Sequence, residues 1–415
     1  MSRDDYPLDR PSIDRREFLK CGALAGLGVG FLGLAAETSA SISPPPKVQR
    51  YVALGKTGLK ISDISFGSSR LRAGQEDLVN HAFDAGINYF DTASDYTDGE
   101  SETTLGNALR GKRDKVVLTS KTFAMPDDRR DVIMSSLEGS LKRLRTDHVD
   151  IYFNHAVNDV ARLKNPEWYE FVAQARKQGK LRFTAMSGHA GNLGECLEYA
   201  IDSGHYDVIL AAHNFGQDPS FFKRYFHNFD FIAVQPELPR LLAKAKSKGM
   251  GTVVMKTLMG ARLNDMRPYE KDGATFAQAA FRWVLSGGNV DALIVSMTSR
   301  ELIDEYLGAS GAHSTAVGDT TLLRRYMAFN SASYCRHGCN VCESSCPSEV
   351  PIAEVLRTGM YARDYRDMEF ARREYAMLAV NASACIDCAA KPCANACPIG
   401  IPTAELTAPT HRLLT

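Results

Sequence analysis

Residues 116–155 read VVLTSKTFAMPDDRRDVIMSSLEGSLKRLRTDHVDIYFNH, and their pattern decides the fold. Two short apolar runs, 116–121 and 149–155, flank a segment in which Ile133, Leu137, Leu141 and Leu144 recur at steps of four, four and three. That spacing puts the four residues on one stripe of a helix, whereas the flanking runs are strand-sized and rich in residues that suit strands. Strand, helix, strand with both strands apolar is the unit of a parallel sheet, because helices cover both of its faces.

Working outward, similar apolar runs at 61–66, 87–91, 182–187, 207–211, 252–256 and 292–296 alternate with helical stretches. Eight such units in about 260 residues predict an α/β fold, a (β/α)8 TIM barrel, with functional side chains at the C-terminal ends of the strands. A doubly wound sheet is the alternative, but no GxGxxG follows the first strand. Gly55 and Gly58 at turn positions make 51–59 a hairpin that would plug the lower end of the barrel. Near Gly311 the rhythm stops. The expected organisation is a leader (1–40), a linker (41–50), the barrel (51–312) and a smaller, mainly α-helical tail (313–415).

At 415 residues the chain exceeds the roughly 100–200 of one domain. Hydrophobic residues at 44% exclude disorder as its general state. Lys+Arg and Asp+Glu both total 49, so no net basic charge recommends nucleic acid as a partner. Eight of the ten cysteines crowd between 335 and 397, which argues for ligation of metal or cluster rather than a dispersed disulfide framework. The other two are Cys21, in the leader, and Cys196, expected as a small buried hydrophobe.

Arg15-Arg16-Glu17-Phe18-Leu19-Lys20 precedes a glycine-rich apolar run, then Thr38-Ser39-Ala40 and three prolines. This resembles a twin-arginine leader. It implies translocase-dependent export to the periplasm after folding, with cleavage after Ala40; an uncleaved membrane anchor is the alternative. The apolar run, about 16 residues, is shorter than the roughly 20 that span a bilayer.

Four polar residues fall at or just beyond expected strand ends: Asp91 and Tyr96 in NYFDTASDY, Lys121 in LTSKT, and His155 in YFNH. Carbonyl reduction needs a proton donor beside the hydride acceptor, and a free tyrosine, with a pKa of about 10, holds its proton tightly. A neighbouring Lys121 is expected to lower that pKa, with Asp91 balancing the lysine and His155 orienting the carbonyl oxygen. With LGKTGLKIS and GESETTLGNALR, these blocks resemble the aldo-keto reductases over roughly 51–309. That family places an Asp-Tyr-Lys-His tetrad at the ends of strands two, three and four, so the resemblance implies catalytic roles for Asp91, Tyr96, Lys121 and His155.

The same resemblance implies NADP(H) laid across the strand ends. Ser187 in MSGH matches the serine that holds the nicotinamide carboxamide, with Gly188-His189 in place of the more usual asparagine, as in the ferredoxin-fused branch. Asn214 follows strand six, although Leu210 stands where a glutamine is common. Met255 takes the place of a stacking aromatic, and Lys256, Leu258 and Gly260 would approach the pyrophosphate. Ser296, Thr298 and Arg300 would hold the ribose phosphate at a helix N-terminus, with Glu305 toward the adenine. Arg300 favours NADP over NAD.

The tail carries Cys335-x3-Cys339-x2-Cys342-x3-Cys346-Pro347 and Cys385-x2-Cys388-x4-Cys393-x3-Cys397-Pro398. Each resembles the bacterial ferredoxin run with one or two residues added. The resemblance implies two [4Fe-4S] clusters with exchanged fourth ligands: Cys335, Cys339, Cys342 and Cys397 at one, and Cys385, Cys388, Cys393 and Cys346 at the other. Closure of each run on its own cluster stays open, as do structural zinc and disulfides. Between the runs, 352–378 reads as helices, with tyrosines 361, 365 and 375 as core residues and His189 and His213, in the barrel, as local hydrogen-bond partners.

The expected function is an oxidoreductase that interconverts a small-molecule carbonyl and an alcohol, coupled through the clusters to an electron-transfer partner protein. An exported electron-transfer module whose barrel is a docking scaffold is the alternative. The loops 158–168 and 218–235 carry no motif diagnostic of substrate.

Overall fold

An antiparallel pair, β1 (Tyr51–Ala53) and β2 (Lys60–Ser62), comes first among the described elements, with Val52 opposite Ile61. This computed structural model describes residues 46–189, 191–217, 235, 237–259, 265–271, 274–330, 335, 341–363, 367–398 and 400–415. The leader expected at 1–40 lies outside the described residues, as do Gly260, Cys339 and Tyr365.

Eight parallel strands follow and close on themselves: β3 (Ile64–Gly67), β4 (Tyr89–Asp91), β5 (Val117–Thr122), β6 (Val149–Asn154), β7 (Leu181–Gly188), β8 (Val208–Ala212), β9 (Gly251–Met255) and β10 (Ala292–Ser296). They stand in sequence order, and β10 pairs with β3 to complete the barrel. The expected strand at 61–66 divides at Asp63. There the carboxylate accepts hydrogen bonds from the Ser310 hydroxyl (2.6 Å) and the Gly311 amide (2.7 Å), and the chain leaves the hairpin to enter the barrel.

Two apolar layers hold the barrel. Outside the sheet, the stripe on helix Arg130–Leu144 is buried as its spacing requires, with Ile133, Leu137, Leu141 and Leu144 turned inward. Inside it, Val52, Leu54, Leu59 and Ile61 of the hairpin join Tyr89, Val117, Ile151 and Phe153 in one cluster. The hairpin thus stoppers the end where the strands begin. Gly55 makes this fit possible: its φ is 51°, and an added Cβ would lie 2.4 Å from the Gly251 nitrogen at the start of β9.

Residues 45–415 form one unit, so the tail packs on the barrel. Among the described residues it has four α-helices, Asp319–Asn330, αA (Ile352–Arg363), αB (Met368–Ala376) and Thr403–Leu414. Tyr326 stacks on Phe276 of the barrel with ring centroids 4.1 Å apart. Ion pairs tie the αA–αB region to the strand ends: Arg70 to Asp367 (2.9 Å), Arg72 to Glu369 (3.3 Å) and Arg373 to Asp98 (3.1 Å). Among the described residues no helix is long and apolar enough to cross a membrane.

Gly55→Ala should lower stability by about 1–3 kcal/mol, because the new methyl meets backbone that cannot yield and the residue keeps a positive φ. Urea unfolding checks this; an unchanged midpoint would mean the hairpin does not seat against β9.

Candidate active site

The strand C-termini open into a cavity of about 660 Å³ that brings Asp91, Tyr96, Lys121 and His155 together. Asp91 ends β4 opposite Thr119 of β5, so Lys121, two residues on, rises beside it from the neighbouring strand. Lys121 is fully buried and donates to Asp91 Oδ2 (2.6 Å) and to the Thr92 carbonyl (2.7 Å). Its ammonium lies 3.4 Å from the Tyr96 hydroxyl. Thr119 donates to the other Asp91 oxygen at 3.0 Å, fixing the carboxylate. His155 directly follows β6, its ring edge-on to Tyr96 with centroids 5.5 Å apart.

Asp95 completes this group. Its Oδ1 lies 3.1 Å from His155 Nδ1, and Phe123 packs on the other side of the imidazole at 4.8 Å. Burial opposes ionisation of Asp95, but His155, a backbone hydrogen bond and Lys121 together outweigh it, and the carboxyl sits below its usual range. Asp95 directly precedes Tyr96 in DTASDY, so its proximity to the tetrad was readable from sequence; its pairing across 60 residues was not.

The expected lowering of the Tyr96 pKa is not found. Burial first, then Asp91, Asp95, Glu374 and Tyr361, push the phenol well above its ordinary value. The main reason is burial, which penalises the phenolate; the Lys121 charge that would offset it is already matched by Asp91, and acidic groups stand nearby.

Among the expected cofactor residues, Ser187, Met255, Lys256, Leu258, Ser296 and Thr298 line the same cavity. The Ser187 hydroxyl accepts from the Ala156 amide (3.0 Å), and the Ser296 and Ser69 hydroxyls pair at 2.8 Å. Asn214 is buried beneath the wall and donates to the Lys256 carbonyl (3.2 Å), bracing a residue held at φ 58°. Arg300 begins helix Arg300–Leu307, capped by Ser299, and pairs with Asp77 at 3.2 Å; Glu305 lies on the same helix.

The outer wall comes from the tail. Arg357 and Tyr361 of αA, Phe370 and Glu374 of αB, and Met377 and Leu378 beyond it all line the cavity. Tyr361, expected as core, does pack against the apolar clusters of barrel and tail, and it also lines the cavity because αA lies across the strand ends. Arg357 donates to Glu354 (2.5 Å), to the Tyr361 oxygen (2.9 Å) and to Glu374 (3.3 Å). Behind it, burial and then Arg357 bring Lys256 down to about 7, while burial and then Lys256 bring His189 down to about 4.

A second, smaller cavity lies within the tail. Cys346 of the first cysteine run and Cys385, Cys388 and Cys393 of the second line it together, and none of the four is in a disulfide. Burial, with neighbouring thiols, raises Cys385 above the usual range. Among the described residues, no group of three or more His, Cys, Asp or Glu side chains is arranged to hold a single metal ion.

The model described as "Aldo/keto reductase family" matches residues 63–315. L-galactose dehydrogenase of Arabidopsis thaliana is 26% identical over 296 residues, covering 62% of this chain and 86% of that protein. An uncharacterized oxidoreductase of Bacillus subtilis is 34% identical over 164 residues, covering 34% of this chain and 50% of that protein. In structure, an aldo-keto reductase candidate from Pseudomonas aeruginosa aligns with a TM-score of 0.50 and 25% identity, over 65% of this chain and 98% of that one.

Asp95→Asn should reduce kcat/KM by about tenfold or more, since His155 would lose the anion that fixes its proton. Steady-state kinetics beside a thermal melt would check this; unchanged kcat/KM in a folded variant would show that Asp95 does not position the histidine.

Proposed function

Because the chain belongs to the aldo/keto reductase family, we propose that its barrel interconverts a small-molecule carbonyl and its alcohol with NADP(H) as hydride partner. One contact carries the reading: the Lys121 ammonium stands 3.4 Å from the Tyr96 hydroxyl while anchored on Asp91. Bound NADPH supplies the hydride; the residues handle the oxygen. Tyr96 holds a proton at its phenol oxygen and gives it to the carbonyl oxygen. Lys121 then stabilises the phenolate left behind. His155, held by Asp95, donates a hydrogen bond to the same oxygen. The phenol is protonated at neutral pH, as reduction requires, and because burial raises its proton affinity, transfer depends on how well Lys121 and the substrate oxygen stabilise the phenolate.

Support for the cofactor is the shared cavity. Ser187, Met255 and Leu258 lie on the wall that also presents Tyr96, and Ser296 and Thr298 lead to the helix N-terminus at Arg300. These donors and apolar surfaces suit a nicotinamide ring followed by phosphate.

We infer further that the tail holds two [4Fe-4S] clusters and offers a path for electrons to a partner protein. The convergence of Cys346 with Cys385, Cys388 and Cys393 supports this, since four thiols from two runs around one cavity suit a cubane, whose ligands stand farther apart than those of a single ion. Clusters bound there would supply one-electron chemistry.

Tyr96→Phe should cut kcat by roughly 100-fold or more while NADPH still binds, followed by its fluorescence; full activity would refute the assigned proton donor. Protein purified without oxygen should carry about eight iron and eight sulfide, falling toward about four of each in Cys385→Ser. Stoichiometric zinc without iron would contradict the cluster assignment.

A further inference from the structure

Part of the cavity wall is made by αA and αB, beside the segments that follow the strands. It has two kinds of surface. Phe370, Met377 and Leu378 are apolar, and Phe370 meets Tyr361 edge-on at 4.7 Å, fixing both rings. Glu374 is the acidic group on this wall, and Arg357 reaches it at 3.3 Å while also holding Tyr361 and Glu354. The Glu374 side chain is only 18% exposed.

We propose that Glu374 is a substrate-contacting residue that accepts a hydrogen bond from a substrate hydroxyl, so that the site selects neutral, hydroxylated carbonyl compounds over unsubstituted ones. This rests on the reading of the barrel as a carbonyl reductase and extends it to the tail.

The chemistry of the wall restricts the ligand. A carboxylate only accepts, and it has room for about four hydrogen bonds, so Arg357 does not exhaust it. Its complement is therefore a donor. A cationic substrate would meet Lys256 and Arg357 in the same cavity, and an anionic one would meet Glu374. A hydroxyl is a donor without either conflict, and the carbon skeleton bearing it can pack on Phe370 and Leu378. An unsubstituted aldehyde would displace water from Glu374 and return nothing, which sites of this kind penalise. Arg357 serves here as a positioning residue: it is buried, and its several partners set where the Glu374 carboxylate points. Glu374 also acts on Tyr96 through space, which places it within electrostatic reach of the proton donor.

The test uses the full chain with NADPH and two aldehydes of the same length, glyceraldehyde and propanal. The wild type should prefer glyceraldehyde by about tenfold or more in kcat/KM, and Glu374→Gln should bring that ratio toward one, chiefly through KM. Glu374→Asp, which keeps the charge but withdraws it, should give an intermediate ratio and guards against loss of fold in the amide variant. A wild-type ratio near one, or a ratio that survives Glu374→Gln, overturns the assignment of Glu374 alone. Turnover of neither aldehyde by the wild type overturns the carbonyl-reductase reading and this assignment with it.

Discussion

The pairing of Lys121 with Asp91 is the constraint on which the site depends. A fully buried ammonium is tolerable only if an anion and further acceptors replace its water, and Asp91 and the Thr92 carbonyl do so at 2.6 and 2.7 Å. Breaking such a pair typically costs roughly 3–5 kcal/mol, because the surviving charge has nowhere to go. The closed sheet makes the pairing unavoidable: β4 and β5 are neighbours, and their register sets the lysine beside the carboxylate. The electrostatic consequence is less obvious. A lysine so fully matched presents little net charge to Tyr96, so the phenol keeps its proton until a reacting oxygen needs it. Whatever stabilisation the lysine gives the phenolate is the same free energy as its pull on the phenol's pKa, and burial outweighs it in the resting site.

The tail obeys the same rule of buried charge. Arg357 needs partners where it lies, and it finds them in Glu354, Glu374 and Tyr361, which ties αA to αB and both to the cavity wall. Rim pairs from Arg70, Arg72 and Arg373 hold this roof to the barrel. The exposed members of these pairs contribute little stability singly, but together they fix orientation. Helix αA also reaches the other cavity: Ile352 lines the cysteine site and Tyr361 the active site, nine residues or about 14 Å apart along the axis. One helix therefore borders both candidate sites.

Much of the architecture is legible in the sequence, and the exceptions share a cause. Strand and helix periods yield the barrel, and the blocks around Asp91, Tyr96, Lys121 and His155 yield the tetrad, because each signal lies within a few residues of chain. The division at Asp63 escapes such a reading because its cause, Ser310 and Gly311, lies about 250 residues away. Tyr361 is legible only in part for the same reason: its core packing is as its spacing suggests, but its place on the cavity wall comes from the docking of αA over the strand ends. The shift of Tyr96 runs against expectation because a motif names the groups present but not how far each is already neutralised. Glu374 carries no local signal at all.

The most direct measurement is the pH dependence of kcat/KM for carbonyl reduction by the wild type. Reduction needs the protonated phenol, so raising its proton affinity extends activity upward in pH, and loss begins only as pH passes the raised value. With Tyr96 held above the ordinary tyrosine value, the profile should show no tyrosine-dependent fall below about pH 10. A fall centred near pH 8, absent from Tyr96→Phe, would show that Lys121 acidifies the phenol and would contradict the neutralised state of the buried pair.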